Sequence, residues 1–189
     1  MRHPSARALH AYWDRLRRGR PAPERSEIEP GQIGRMLGDI VLLEGGGFER
    51  FKVRLAGTRL CALLGKEVRG KSFVSLFART DRAALLALLD ETASEAVPGI
   101  AAVIGETEQG QSIEMELLLL PLRHRGDSHA RMLGILAPLE VPYWVGSHPL
   151  GELRIRSLRL HREDGEATLA PSAPRPARAH LRLVHSGTD

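Results

Sequence analysis

Apolar and polar positions along this chain alternate with two periods, and the switches between them divide it into elements. From Ser5 to Arg18, Leu9, Tyr12, Trp13 and Leu16 recur at i, i+3, i+4 and i+7, the stripe of an amphipathic helix. Ser5 is placed to cap that helix and Gly19 to end it. Pro21-Ala22-Pro23-Glu24 then breaks the helix and extends the chain. Glu29 to Leu37, with Pro30 in the first turn, predicts a short helix. The apolar run from Asp39 to Glu44 predicts a buried strand, Gly45-Gly46-Gly47 a turn, and a strand opening near Phe48 completes an antiparallel hairpin. In that second strand Phe51, Val53 and Leu55 alternate with Arg50, Lys52 and Arg54.

After Gly57 the period becomes helical: Leu60, Leu63 and Leu64 share one face, and Gly65 stops the helix. A longer helix is expected from Thr80 or Asp81 to about Val97, with Leu85, Leu88, Leu89 and Ala96 facing inward and Pro98-Gly99 closing it. Three strands follow: Ile100 to Thr107, Ser112 to Leu122, and Arg131 to Leu139. Gln109-Gly110 makes the first turn, and Arg123 to His129 reads as a polar loop. Pro138 and Pro142 end the sheet. A further alternation over Leu153 to Leu160 loses its phase at Ser157. Paired strands at both ends with helices between them predict an α+β domain: a mainly antiparallel sheet with helices on one face, plus the N-terminal amphipathic helix. The expected division is 1–20 for that helix, 21–160 for the domain, and 161–189 for a disordered tail rich in Ala, Pro and Arg.

Composition narrows the class. A chain of 189 residues fits one domain with extensions, and 42% hydrophobic content suffices for a core. With aromatics at 4%, that core must be mostly aliphatic. Apolar stretches fall short of the roughly 20 residues a membrane span needs. The segment Met1 to Ser5 lacks a signal-peptide h-region, and a single cysteine allows no internal disulfide. A cytoplasmic setting is expected. The net charge of +4 is concentrated early, in Arg2, Arg7, Arg15, Arg17, Arg18 and Arg20. Basic residues are nearly all Arg, with Lys52, Lys66 and Lys71 the lysines, a bias that GC-rich genomes produce. A nucleic-acid surface needs such charges on one face with stacking aromatics or a known motif, and neither is found.

Several local words point to a family. They are Tyr12-Trp13-Asp14-Arg15-Leu16-Arg17, then Pro23 with Arg25-Ser26-Glu27-Ile28-Glu29-Pro30, and Leu37-Gly38-Asp39-Ile40-Val41-Leu42-Leu43. Phe51-Lys52-Val53-Arg54-Leu55-Ala56-Gly57-Thr58 and the stretch from Leu64 to Phe73 complete the set. Together they resemble a bacterial stand-alone PAS subfamily, typical of alphaproteobacteria, in which a Trp-bearing helix precedes the domain. The likeness runs from about Leu9 to Leu139, with a weaker extension to about Leu160. It implies a five-stranded antiparallel sheet with helices on one side, a ligand space between them, and signalling through flanking helices and the sheet face, often as dimers. It also implies a sensor or adaptor in bacterial signal transduction rather than an enzyme. The residues so implied for a ligand are Leu55, Thr58, Cys61, Phe73, Leu85, Met115 and Leu133. For a homodimer they are Leu9, Tyr12, Trp13 and Leu16, which could cover their own sheet or a partner's.

Haem-binding PAS domains carry a histidine on the helix facing the sheet, but none lies between His10 and His124. Photoactive flavin domains carry a cysteine in an Asn-Cys-Arg-Phe-type word, whereas Cys61 sits in Leu60-Cys61-Ala62-Leu63. Haem and photoactive flavin are both disfavoured, and the cofactor is otherwise open. Cys61 reads as a small core residue, and Thr58 as the cap of its helix. Arg54 reads as an outward side chain on the sheet, or, if turned inward, as an anchor for an acidic ligand. Glu114 and Glu116 read as solvated strand positions. Gly45-Gly46-Gly47 is no phosphate loop, and no nucleophile elbow, zincin word or metal-spaced Cys/His set appears. Two alternatives stand beside the sensor: a nucleic-acid-associated regulator using the Arg-rich helix, and a small-ligand enzyme using the cavity.

Overall fold

The computed structural model describes residues 1–45, 51–124, 127–162 and 165–169, with main chain alone at 127–130 and 165–169. The first helix, α1, spans Pro4–Arg17. Its cap is His3, whose Nδ1 accepts from the Ser5 N–H, and not Ser5 itself. Arg18 (φ 50°) makes the left-handed exit ahead of Gly19. The Pro30 segment is a 3-10 helix, Pro30–Asp39, and it runs straight into strand β1, Ile40–Glu44. Strand β2 (Lys52–Ala56) returns antiparallel to β1. The expected hairpin is therefore present, while the glycines assigned to its turn, Gly46 and Gly47, lie outside the described residues. Helices α2 (Thr58–Leu64) and α3 (Arg82–Glu95) follow, with a 3-10 turn, Phe73–Leu76, between them.

Strands β3 (Gly99–Glu106), β4 (Ser112–His124) and β5 (Asp127–Pro138) form a meander. The stretch expected as a polar loop is mostly strand, because β4 and β5 stay paired out to His124 and Asp127. Two more strands, β6 (Arg154–Arg162) and β7 (Gly165–Leu169), extend the sheet past β3. The order is β2-β1-β5-β4-β3-β6-β7, antiparallel throughout. The five expected strands are thus five of seven. The phase slip at Ser157 is a bulge: Ala102 faces Ser157, but Val103 faces Ile155, so Arg156 is the extra residue. The bulge lets Ile155 and Leu158, three apart, pack on the same core. β6 and β7 also carry the sheet into the segment expected as a tail, whose remaining residues, 170–189, are outside those described.

Between Pro138 and Arg154 the chain wraps around the domain before rejoining the sheet. Trp144 is buried on the way, and the Leu150 N–H donates to Leu63 O of α2 at 2.8 Å. The Leu153 N–H donates to Leu76 O at 3.0 Å.

The sheet is covered on both faces, not on one. The first core sets Val41, Leu43, Val53, Val103, Met115, Leu117 and Leu119 against α2, α3 and the Phe73–Leu76 turn. The second sets Ile40, Leu42, Ile100, Leu118, Leu120, Leu122 and Ile135 against α1 and the 3-10 helix after it. β4 serves both cores with alternate residues, so it reads as a nearly unbroken apolar run.

Candidate functional site

The space between the sheet and α2/α3 is where a ligand was expected, and large side chains fill it. Phe73, Phe77, Leu60, Leu85, Leu88 and Leu89 are each at most 1% exposed. The two phenyl rings meet edge to face with centroids 5.5 Å apart. Of the seven residues expected around a ligand, Phe73, Leu85 and Met115 share this core, and the half-buried Cys61 packs against it. The other three lie elsewhere, each for a local reason.

Leu55 is exposed. The β1–β2 register shifts between Leu42 and Leu43, which face Leu55 and Val53, so Arg54 is an extra residue that reverses the alternation. Arg54 itself is exposed and pairs with Glu44 at 3.4 Å. Thr58 is exposed as the first residue of α2; the cap position belongs to Gly57. Leu133 pairs with Leu42 and is buried in the second core, on the far side of the sheet. Both neighbours of Leu133, Met132 and Gly134, are buried as well, so no polar phase marked its face.

The ionisable groups near this core are held outside it. The Cys61 Sγ lies 3.8 Å from Glu67 Oε1, and burial pushes the thiol above its ordinary value, so the thiolate is disfavoured. Backbone N–H groups of Arg69 and Val68 hold the Glu67 carboxyl below the usual range, the Arg69 contact having the larger effect. Asp39 is buried and takes Arg59 Nε and Nη2 at 2.8 and 2.6 Å, which ties the start of α2 to the 3-10 helix.

The other face decides between the two readings of the α1 stripe and carries one feature that sequence reasoning missed, the buried Glu116. Leu9, Tyr12 and Trp13 pack on the chain's own sheet, at 0%, 5% and 2% exposure, and Leu16 packs at the edge of the same core. Trp13 Nε1–H donates to Pro121 O of β4 at 2.8 Å, and the Glu29 N–H donates to the Tyr12 hydroxyl at 2.9 Å. Glu116, expected in solvent, is buried: its carboxylate accepts from the Arg2 and His3 N–H groups at 2.7 and 3.1 Å. A β4 carboxylate thereby anchors the entry to α1, where helix N–H groups otherwise lack partners. The one hint in the sequence was that Glu116 alternates in phase with Leu118, Leu120 and Leu122.

A crevice of about 500 Å³ opens where α1, the end of α3 and β6 meet. His10, Trp13 and Arg17 line one wall and His161 and Arg162 the other. The rings of His10 and His161 stand edge to face with centroids 5.2 Å apart. Among the described residues, no group of three or more His, Cys, Asp or Glu is gathered as metal ligands would be.

A family model described as "PAS domain" matches residues 1–137. No curated protein sequence matches the chain. Similar solved structures include a light-oxygen-voltage domain studied with a flavin analogue, at 12% identity and TM-score 0.47 over 62% of this chain and 87% of that one. The LOV protein of Rhodobacter sphaeroides is 16% identical, with TM-score 0.45 over 61% of this chain and 71% of its own. The PAS domain of an HTR-like protein from Haloarcula marismortui is 20% identical, with TM-score 0.39 over 57% and 89%.

Proposed function

This chain belongs to the PAS domain family, and from that membership we propose that it is a non-catalytic sensory or adaptor module of bacterial signal transduction whose output is a contact with another protein. The observation that carries the adaptor reading is the filled interior, with Phe73 and Phe77 fully buried where a cofactor would sit. A ligand of any size must displace those rings, so ligand entry would be a repacking event between two states. Both carboxylates buried among the described residues, Asp39 and Glu116, are committed to structural partners, which supports a non-catalytic role. No helix among the described residues is long and apolar enough to cross a membrane. With a single cysteine, this fits a cytoplasmic setting. The three buried residues of the α1 stripe cover the chain's own sheet, so a homodimer with α1 in place would use another surface.

Native mass spectrometry and an absorption spectrum of freshly purified protein test the reading. The polypeptide mass of 20.8 kDa or a multiple of it, without a chromophore, is expected. A stoichiometric small molecule held through gentle desolvation would overturn the adaptor reading in favour of a ligand sensor.

A further inference from the structure

We propose that the contact between His10 and His161 is a pH-sensitive latch, which holds α1 on the sheet near neutrality and lets it go on acidification. The two imidazoles belong to different elements, α1 and β6, and meet 5.2 Å apart in a partly buried crevice. Nδ1 of His161 is shielded from solvent and has no hydrogen-bond partner, so a proton placed there would have no acceptor. Protonating His10 puts a cation against the His161 ring and makes His10 give up water.

Among the charged groups around the pair Asp14 favours a protonated His10, but it is outweighed. On α1, Asp14 is one turn from His10, but its carboxylate accepts from Arg17 Nε at 2.6 Å. Arg17 and the chain's N-terminal ammonium add positive charge. On β6, Arg162 flanks His161 and is paired with Glu95 at the end of α3, while Arg159 precedes it on the same strand face. Burial and, next, His161 hold His10 below its ordinary 6.5. The released helix regains the ordinary value. The released state therefore takes up the proton first: docking is undiminished above about 6.5 and weakens as pH falls below it. Release is confined to α1, because the His161 N–H is held by Pro98 O at 2.8 Å, whereas the contacts of α1 through Glu116, Tyr12 and Trp13 open with it. It would uncover the leucine face formed by Leu118, Leu120 and Leu122.

The test uses the full chain and NMR between pH 7.5 and 5.0. His10 is expected to titrate below 6.5 in the docked state. The Trp13 indole N–H, bonded to Pro121 O, should shift toward its free position as His10 titrates. Exchange of α1 amides should rise about tenfold relative to α3 amides after correction for intrinsic rates. His10→Gln should keep α1 docked throughout. His161→Gln, a second variant should the first fail to fold, should bring the His10 midpoint closer to 6.5. The proposal is overturned if His10 titrates at or above 6.5 while docked. It is also overturned if His10→Gln releases α1 over the same range, or if α3 loses protection together with α1.

Discussion

A Cβ on Gly57 would sit 2.2 Å from the carbonyl oxygens of both Leu37 and Gly38. The backbone there is ordinary, with φ −69° and ψ 155°, so space and not conformational freedom demands glycine. The Gly57 N–H also donates to Ile40 O at 2.8 Å, which draws the β2–α2 junction against the end of the 3-10 helix. Gly57→Ala must push two backbone segments apart, and we expect a cost of about 1–3 kcal/mol or more. Gly34→Ala, where an added methyl meets nothing within 4 Å, is the control and should move the denaturant midpoint little. Equal midpoints for the two variants would refute the argument. The sequence made Gly57 legible as punctuation between a strand and a helix. It did not reveal the close approach, because the carbonyls in question lie about twenty positions away. Leu55 was misplaced for a similar reason. The alternation of Phe51, Val53 and Leu55 was real, but the bulge at Arg54 is set by pairing with β1, which no pattern within β2 can display.

At the scale of elements, helices were the most legible because their stripes contrast with polar faces. α1, α2 and α3 each lie within three residues of their expected ends. Strands buried on both faces carry no such contrast, and so Leu133 could not be placed on a side. The role of α1 depends on a carboxylate of β4 and a carbonyl of Pro121, which only the folded chain brings to it. Each contact has a separable cost. Trp13→Ala removes a large buried ring and should cost roughly 3–5 kcal/mol. Glu116→Ala leaves two N–H groups at the helix entry without their acceptor and should cost about 1–3 kcal/mol. Denaturant unfolding measures both, and early proteolysis within residues 1–20 should accompany Glu116→Ala. If that variant resists proteolysis as well as the parent does, Glu116 is not the anchor of α1.

The molecule as a whole is a single antiparallel sheet between two apolar layers, and its N-terminal helix is one of those layers. This changes what its removal would do. If α1 were an appendage that joined two copies, a chain shortened to begin at Arg20 would be a well-behaved monomer. Here the shortened chain bares Leu42, Leu118, Leu120, Leu122 and Ile135, a contiguous leucine-rich face on paired strands. Such a face far exceeds the scattered apolar residues a soluble surface tolerates. The expected outcome in sedimentation velocity is therefore growth in mass, by face-to-face pairing or aggregation, with a lowered unfolding midpoint. The full chain serves as the reference. A stable, monodisperse monomer from the shortened chain would mean that the sheet does not need α1. The cover would then be dispensable, and its docking could not serve as a switch.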